Sequence, residues 1–276
     1  MIYVGRTGIV RYQPVQSARM NTFDPVAHDF DAFRALPDGI PVAIRKAVLS
    51  ALAHAPSPWL LDLGAGTGRV GEAFVAAGDC YVGIDNSLAM LMRFATKLKR
   101  PGSIPCLVQA DGRALPFDRA TFDGVLLVHV VSNVSGWRRL IDEARRVLRD
   151  DGALLIGQIV RPPDGLDARM NASLDLIANE LGMAPRRSKT QKHDARRELL
   201  ESARSRTETV VATWDATRTA RTFLARKPTG GRFSALDPEV RDEALRRLAD
   251  WAVATLGSLD APSIERFAFT LDTLRF

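Results

Sequence analysis

The sequence predicts an α/β protein built on a doubly wound, mostly parallel sheet of seven strands. Short apolar runs alternate with helical stretches over residues 58–162, these runs are apolar on both faces, and a glycine-rich turn follows the first of them. Strands of this kind, separated by helices, are typical of a parallel sheet that is covered on both sides. Such folds bind ligands outside the carboxyl ends of their strands, so the residues that follow each strand are the candidate site.

The composition is that of an ordinary globular protein. The chain has 276 residues, of which 46% are hydrophobic and 25% charged, which excludes disordered and membrane-embedded classes. The formal charge of +6 is local, because residues 181–250 contain 16 basic and 10 acidic side chains. The basic run at 186–197 contains no aromatic residue, so we expect a solvated face first, an anionic partner second and nucleic acid last.

The N-terminal part divides into two segments. Residues 1–20 contain three arginines and no acid, and they predict a loose arm. Residues 21–57 predict N-terminal helices, because an amphipathic pattern begins at Pro41. Two cysteines are too few for a disulfide framework, and the chain has neither a signal-peptide pattern nor a membrane-spanning apolar run, so we expect a cytoplasmic protein.

The central segment, residues 58–162, predicts five strands over 59–63, 81–84, 104–108, 125–130 and 153–160. Helical stretches are predicted over 69–77, 87–98 and 137–148, with a turn at 150–152. The remaining segment, 163–276, predicts the C-terminal part of the same domain: a helical cap and two further strands. Its helices are predicted over 166–181, 195–203, 219–225 and 238–256, and its strands over 208–214 and 264–271.

The most informative segment is Asp62–Gly68, which reads Asp-Leu-Gly-Ala-Gly-Thr-Gly directly after the first core strand. Its glycines allow a sharp turn and a close approach of a ligand to bare backbone. The segment around Gly66–Gly71 also satisfies the dinucleotide fingerprint, which leaves an NAD(P)-dependent oxidoreductase as an alternative. A carboxylate at Asp62 favours a cationic amine over a pyrophosphate, and therefore argues against that alternative.

At this point the chain resembles the class I S-adenosylmethionine (SAM) dependent methyltransferases, which have a Rossmann-like fold. The resemblance continues through Tyr81–Ser87, Ala110–Phe117 and Arg145–Gly152, and it covers residues 58–160 in order. The leader Phe23–Asp31 is similar to that of small-molecule members, in which it closes over the cofactor, and the tail is similar to a less well characterised bacterial branch. The resemblance implies a SAM-dependent enzyme, with S-adenosylhomocysteine as its product.

The resemblance also implies roles for particular residues. The glycine turn would pass under the methionine part of SAM, with Asp62 near its amino group, and Asp85 would accept both ribose hydroxyls. The adenine would lie near Asn86, Ser87 and Met90, and between Asp111 and Gly112. The implied cofactor-binding residues are Asp62, Gly64, Ala65, Gly66, Gly68, Asp85, Asn86, Ser87, Met90, Asp111, Gly112, Arg113 and His129.

His129 is the candidate catalytic residue, because it follows the fourth core strand and would face the sulfonium and the acceptor. A histidine there can act as a general base, or it can simply line the pocket. The candidate acceptor-binding residues are Asn133, Trp137, Trp214, Arg232 and Phe233. No cluster suggests a metal site, so no metal is expected.

We therefore expect a small-molecule methyltransferase acting on oxygen, nitrogen or carbon. Nucleic acid is disfavoured as a substrate for two reasons. Methylation of cytosine C5 needs a catalytic cysteine, whereas both cysteines begin strands away from the ligand edge. Residues 129–133 also lack the Asn/Asp-Pro-Pro-Tyr/Phe motif of DNA amino methyltransferases. An RNA methyltransferase and a catalytically silent SAM-binding or regulatory protein remain as alternatives. We expect no membrane partner, and the sequence leaves a monomer and a homodimer equally open.

Overall fold

The computed structural model describes residues 3–5, 8–10, 23–24, 27–98, 106–131, 134, 136–183, 197–229, 233 and 236–276. Near the N-terminus, strands β1 (Tyr3–Gly5) and β2 (Gly8–Val10) pair as an antiparallel hairpin. These two strands form a separate sheet, so the loose attachment of the arm to the rest of the domain stays a prediction. The remainder of that arm, and most of the basic run at 186–197, lie outside the described residues.

The main sheet has seven strands, which confirms the predicted fold class. They are β3 (Leu60–Leu63), β4 (Tyr81–Asp85), β5 (Cys106–Gln109), β6 (Phe122–Val128), β7 (Leu148–Val160), β8 (Ser205–Arg218) and β9 (Ser263–Arg275). Their order in the sheet is β5-β4-β3-β6-β7-β9-β8. Strands β3 to β7 run parallel, and β9 lies antiparallel between β7 and β8.

The two faces of the sheet carry alternate residues of each strand, as the twofold period of a strand requires. One face packs with helix α4 (Trp137–Val147) through Leu61, Leu63, Val82, Ile84, Val125, Leu127, Leu154 and Ile156. The other face packs with α1 (Ile40–Ala51), α2 (Gly71–Ala77) and α3 (Leu88–Lys97) through Leu60, Tyr81, Leu126, Leu155, Phe269 and Leu271. Both faces are therefore covered.

The cap helices are α5 (Leu166–Glu180), α6 (Ala220–Arg226) and α7 (Pro238–Leu256). Residues 197–201 are also helical, within the stretch predicted at 195–203. The three numbered helices share a hydrophobic cluster of their own, built from Leu166, Met170, Leu174, Ile177, Ala220, Phe223, Phe233, Ala244, Leu248 and Ala252. Strands β8 and β9, by contrast, extend the main sheet. Among the described helices, none is long and apolar enough to span a membrane.

The largest difference from the predicted elements is at the start of β7. The predicted turn at 150–152 lies within this strand, which begins at Leu148 and shifts register against β6 between Phe122 and Gly124. A change of register accommodates the extra residues without ending the strand.

The direction of winding decides where the site lies. From β3 the chain moves outward through β4 and β5, and it then returns to the other side of β3 with β6 and β7. The strand order reverses beside β3, and such a switch point is where doubly wound sheets bind ligands. The edge at which these parallel strands end is called the carboxyl edge below. Because β9 is antiparallel to both neighbours, β8 also ends at this edge.

Candidate functional site

The glycine loop after β3 is held on the end of β4. The backbone N–H groups of Gly64 and Ala65 both donate to the carbonyl of Ile84, at 2.8 and 2.9 Å. Gly64, Gly66 and Gly68 all have positive φ, of 89°, 56° and 77°, a conformation that disfavours side chains. The sequence therefore needs glycine at these three positions to form this loop.

The three glycines differ in what surrounds them. A Cβ at Gly64 would lie 2.5 Å from Val130 Cγ2, and one at Gly68 would lie 2.1 Å from Phe94 Cδ2. At Gly66 the nearest atom would be the Gly64 carbonyl oxygen, 3.9 Å away. Gly64 and Gly68 thus allow protein packing, whereas Gly66 leaves bare backbone facing open space, as a bound ligand requires.

Asp85 lies at the end of β4, beside this open space. Its Oδ2 accepts from the Gly66 N–H and its Oδ1 from the Ser87 N–H, each at 2.9 Å. Burial raises the pKa of Asp85, and the backbone N–H donors oppose that effect. Each carboxylate oxygen has a second lone pair, so Asp85 can still accept the two ribose hydroxyls of a nucleoside.

Ser87 and Met90 have structural partners. The Ser87 hydroxyl caps α3 by accepting from the Met90 N–H at 3.1 Å, and it donates to Asp24 Oδ1 at 2.6 Å. Both residues are buried, whereas Asn86 is exposed. Of the three residues expected near the adenine, only Asn86 presents an exposed side chain at this edge.

The leader reaches the glycine loop through Asp31, which sequence reasoning missed. Its carboxylate accepts from the Thr67 hydroxyl at 2.5 Å and pairs with Lys97 at 2.6 Å. Lys97 also donates to the Thr67 carbonyl at 2.7 Å. The leader therefore contacts the glycine loop through Asp31 and the start of α3 through Asp24. The acids of the leader were visible in the sequence, but their partners lie far along the chain.

Asp62 lies beneath the loop rather than on its open side. It is 3% exposed, and its Oδ2 accepts from the Tyr81 hydroxyl at 2.6 Å. Burial raises the pKa of Asp62 to about 7, against the opposing effect of the Tyr81 hydrogen bond. The sequence did not indicate this buried partner. A contact between Asp62 and a ligand amine therefore stays a prediction.

Asp111 and Gly112 follow β5. The Asp111 carboxylate accepts from the Arg113 backbone N–H at 2.9 Å and from its guanidinium at 2.7 Å, and these contacts lower its pKa. A Cβ at Gly112 would lie 2.9 Å from Leu63 Cδ1, so this glycine permits close packing. In the structure, Arg113 thus pairs with the Asp111 carboxylate, which was expected to accept from the adenine amino group.

His129 directly follows β6 and has a positive φ of 59°. Its Nε2 accepts from the Ile159 N–H at 3.3 Å, which assigns the proton to Nδ1 in the neutral ring. Burial lowers the pKa of His129 to about 4, with further contributions from Arg69 and Arg161. A neutral ring whose Nε2 already accepts a hydrogen bond favours the pocket-lining role over the general base.

The predicted acceptor-binding residues that the structure describes pack against different hydrophobic clusters. Trp137 packs with the cluster under α4, Trp214 with the cluster on the opposite face of the sheet, and Phe233 within the cap. Their expected common role is not supported by this packing. Asn133 and Arg232 lie outside the described residues. Within the described ranges, no group of three or more His, Cys, Asp or Glu side chains could hold a metal ion.

Comparison with known proteins agrees with this geometry. A family model described as a methyltransferase domain matches residues 61–156. The demethylmenaquinone methyltransferase of a Parafrankia species is 34% identical over 176 residues, which cover 58% of this chain and 68% of that protein. The chain belongs to the class I SAM-dependent methyltransferases.

Other relatives of this methyltransferase match over a smaller part of their length. A demethylmenaquinone methyltransferase of Renibacterium salmoninarum is 32% identical over 52% of this chain and 59% of its own. A ubiquinone/menaquinone biosynthesis C-methyltransferase of Syntrophotalea carbinolica is 32% identical over 56% of this chain and 66% of its own. The present chain thus spans about two thirds or less of the length of these two relatives.

Solved structures show the same fold. The YcgJ protein of Bacillus subtilis has a TM-score of 0.50 at 17% identity, over 84% of this chain and 99% of its own. A protein of Anabaena variabilis, named for a methyltransferase of an antibiotic biosynthesis pathway, has a TM-score of 0.52 at 15% identity, over 83% of this chain and 96% of its own. At such identities the likeness concerns the fold of the methyltransferase alone.

Proposed function

We propose that this methyltransferase transfers the methyl group of SAM to an oxygen, nitrogen or carbon of a small-molecule acceptor and releases S-adenosylhomocysteine. One observation carries the cofactor part of the proposal: Asp85 and the bare backbone at Gly66 are hydrogen-bonded to each other beside open space at the switch point. A nucleoside with a cationic amino acid tail needs a diol acceptor and a close backbone approach at one place.

The residues present fit this cofactor. Asp85 would accept the ribose hydroxyls, and the loop at Gly66 would pass beside the amino acid part. When bound, SAM supplies a methyl group that is already activated on a sulfonium. The chain must therefore orient the acceptor and exclude water. The leader, tied to the loop through Asp24 and Asp31, would provide part of that cover.

The acceptor is proposed only as a chemical class. The relatives named for demethylmenaquinone and ubiquinone support a ring carbon of a quinone precursor as one acceptor class. A neutral His129 is consistent with this, because methylation of an activated ring carbon or phenolate needs alignment more than a strong base.

The experiment is a turnover assay with the full chain. It would be incubated with SAM and separate pools of phenols, quinols, amines, carboxylates and RNA, and S-adenosylhomocysteine would be measured by mass spectrometry. We expect product with a small-molecule pool and none with RNA. Binding of SAM without turnover in any pool would instead support a silent SAM-binding protein. Thermal protection by NAD(H) but not by SAM would overturn the cofactor assignment.

A further inference from the structure

Five arginines from separate segments converge at the carboxyl edge, and this set is called the arginine cluster below. Arg161 follows β7, and Arg218 ends β8. Arg69 belongs to the turn after the glycine loop. Arg34 lies just after the leader, at the end of the short 3₁₀ helix Asp31–Phe33, and helix α6 contributes Arg226 at its end. Sequence reasoning took none of these as site residues, although Arg161 directly follows a strand.

Contacts place several members of the cluster together. The guanidinium carbons of Arg161 and Arg218 lie 5.6 and 4.8 Å from the ring centroid of the buried Phe267. Arg226 and Arg161 approach the same Asp167 carboxylate, at 2.8 and 3.7 Å. Thus one aromatic ring and one carboxylate link three arginines from two strands and a helix.

The donors of the cluster are not all used. Within the described part of the chain, the buried Nε atoms of Arg69 and Arg218 have no hydrogen-bond partner. Arg161 keeps 39% of its side-chain surface exposed although protein groups surround it, as expected of a residue that lines an open cleft. A buried guanidinium donor without a partner is costly, so these atoms mark a place for an acceptor atom.

The charges around the cluster are unbalanced. Burial, followed by the charges of neighbouring arginines, lowers the pKa of Arg34 to about 10. Burial also lowers the pKa of Arg69 to about 10, with Asp31 opposing and Arg161 adding to the effect. The acids that interact with the cluster are Asp31, Asp167 and Glu265.

Two of these acids also have partners outside the cluster. Asp31 is also paired with Lys97, and Glu265 Oε1 accepts from the Leu166 N–H at 2.6 Å and the Ser263 hydroxyl at 3.1 Å. Asp167, by contrast, pairs with Arg161 and Arg226 of the cluster itself. Five arginines therefore face three acids, and one of these, Asp31, is shared with Lys97.

We propose that the arginine cluster binds an anionic group of the methyl acceptor, a carboxylate or a phosphate, with Arg69, Arg161 and Arg218 as its main ligands. This inference rests on the proposed function, because it names the substrate class of the same site. Arg69 and Arg161 both act electrostatically on His129 at the end of β6, so the cluster adjoins the place where the acceptor would meet the methyl group.

Guanidinium chemistry favours these anions. A planar fork of N–H donors matches a carboxylate or phosphate bidentately, and such charge-assisted hydrogen bonds are stronger than neutral ones. An anion between the arginines would also relieve their mutual repulsion. A neutral acceptor would leave both the repulsion and the unused donors in place.

The first test compares matched probes on the wild-type chain saturated with S-adenosylhomocysteine. The probes are 4-hydroxybenzoate, its neutral amide 4-hydroxybenzamide, phenyl phosphate and phenol, and their affinities would be measured by calorimetry. We expect an anionic probe to bind at least about tenfold more tightly than its neutral counterpart, with the difference shrinking as salt is added. Preference for the benzoate indicates a carboxylate acceptor, and preference for phenyl phosphate a phosphorylated one.

The second test uses Arg161→Gln and Arg218→Gln. We expect each to lower the affinity for the anionic probe about tenfold while S-adenosylhomocysteine binding stays unchanged. Arg221→Gln is the matched control, because Arg221 lies in the same cap but is exposed and pairs with Asp260 at 2.6 Å.

The outcomes separate the two proposals. If the wild-type chain does not bind S-adenosylhomocysteine, the proposed function is overturned. Intact cofactor binding with equal affinity for charged and neutral probes, or with no binding of any probe, would overturn the anion site alone. Arg161→Gln and Arg218→Gln variants that both fold and keep full anion affinity would overturn it as well.

Discussion

The carboxylate of Asp85 accepts a hydrogen bond from the backbone N–H of Gly66 at 2.9 Å, so the end of β4 holds the glycine loop that follows β3. The other carboxylate oxygen holds the Ser87 N–H at the start of α3. One side chain therefore organises the glycine loop and the start of α3, and it still has lone pairs available to a ligand. Loop geometry and ligand binding depend on the same group.

Replacing Asp85 with Asn tests this dependence. The amide nitrogen cannot accept a hydrogen bond, so the variant loses a contact to a backbone N–H or to a ribose hydroxyl. We expect SAM affinity, measured by calorimetry, to fall by about 1–3 kcal/mol, the usual loss for hydrogen bonds to a charged group. Glu72→Gln, at an exposed carboxylate of α2, is the control. Equal affinity in the two variants would contradict the ribose assignment.

The glycine loop predicts a separation of stability from binding. Gly68→Ala should lower the melting temperature strongly, because its Cβ would lie 2.1 Å from the Phe94 ring. Gly66→Ala should lower it less, since only about 1–2 kcal/mol of backbone strain is added, but it should lose more SAM affinity. Thermal unfolding and calorimetry on both variants check the order. The reverse order would show that Gly66 does not face the ligand.

Asp62 predicts a dependence of stability on pH. Its pKa is raised to about 7, so between about pH 4 and 7 the folded protein keeps a proton that the unfolded chain releases. Stability contributed by the neutral form is thus lost as pH rises through this window. Asp62→Asn stays neutral and can still accept from Tyr81.

We therefore expect the melting temperature of Asp62→Asn to exceed that of the wild type by an amount that grows up to pH 7 and then levels. Asp118→Asn, at an exposed carboxylate, is the control. A constant difference across this range would refute the shifted pKa. If Asp62 also contacts the SAM ammonium, the same variant binds SAM more weakly.

His129 predicts the opposite slope. The unfolded chain takes up a proton near pH 6.5, whereas the folded chain does so only near pH 4, so stability falls as pH decreases through that window. His129→Asn tolerates the positive φ and removes this effect. The stability of His129→Asn relative to the wild type should therefore rise as pH decreases through this window. That of His28→Asn, the control at an exposed histidine, should keep a constant difference from the wild type.

The same His129 variant decides between base and lining residue. Because Nε2 already accepts from Ile159, we expect His129→Asn to keep S-adenosylhomocysteine affinity and most of the turnover. A large fall in kcat with unchanged cofactor affinity would restore the general base.

Local pattern was enough for most of the fold. All seven strands of the main sheet were predicted, with ends that differ by up to five residues, because a short apolar run bounded by turn residues is a local signal. The turn predicted at residues 150–152 was wrong, since a change of register is a relation between two strands and leaves little trace in either. The pairing of β1 with β2 was missed for the same reason.

The candidate cofactor site could be predicted from the sequence because its residues directly follow two neighbouring strands. Glycine spacing placed Gly66, and the acid after β4 placed Asp85. The partners of these residues were not readable: Tyr81 beneath Asp62, and Asp24 and Asp31 against α3 and the loop. Side-chain packing alone selects such partners.

The sequence alone showed that the C-terminal region is basic, because residues 181–250 contain more basic than acidic side chains. Which arginines act together was decided by the fold. Strands β7 and β8 end at the same edge and so bring Arg161 and Arg218 to one aromatic ring. Arg34, just after the leader, and Arg226, at the end of α6, join them there. A local pattern records periodicity and turns, whereas convergence of distant charges depends on the order and direction of the strands.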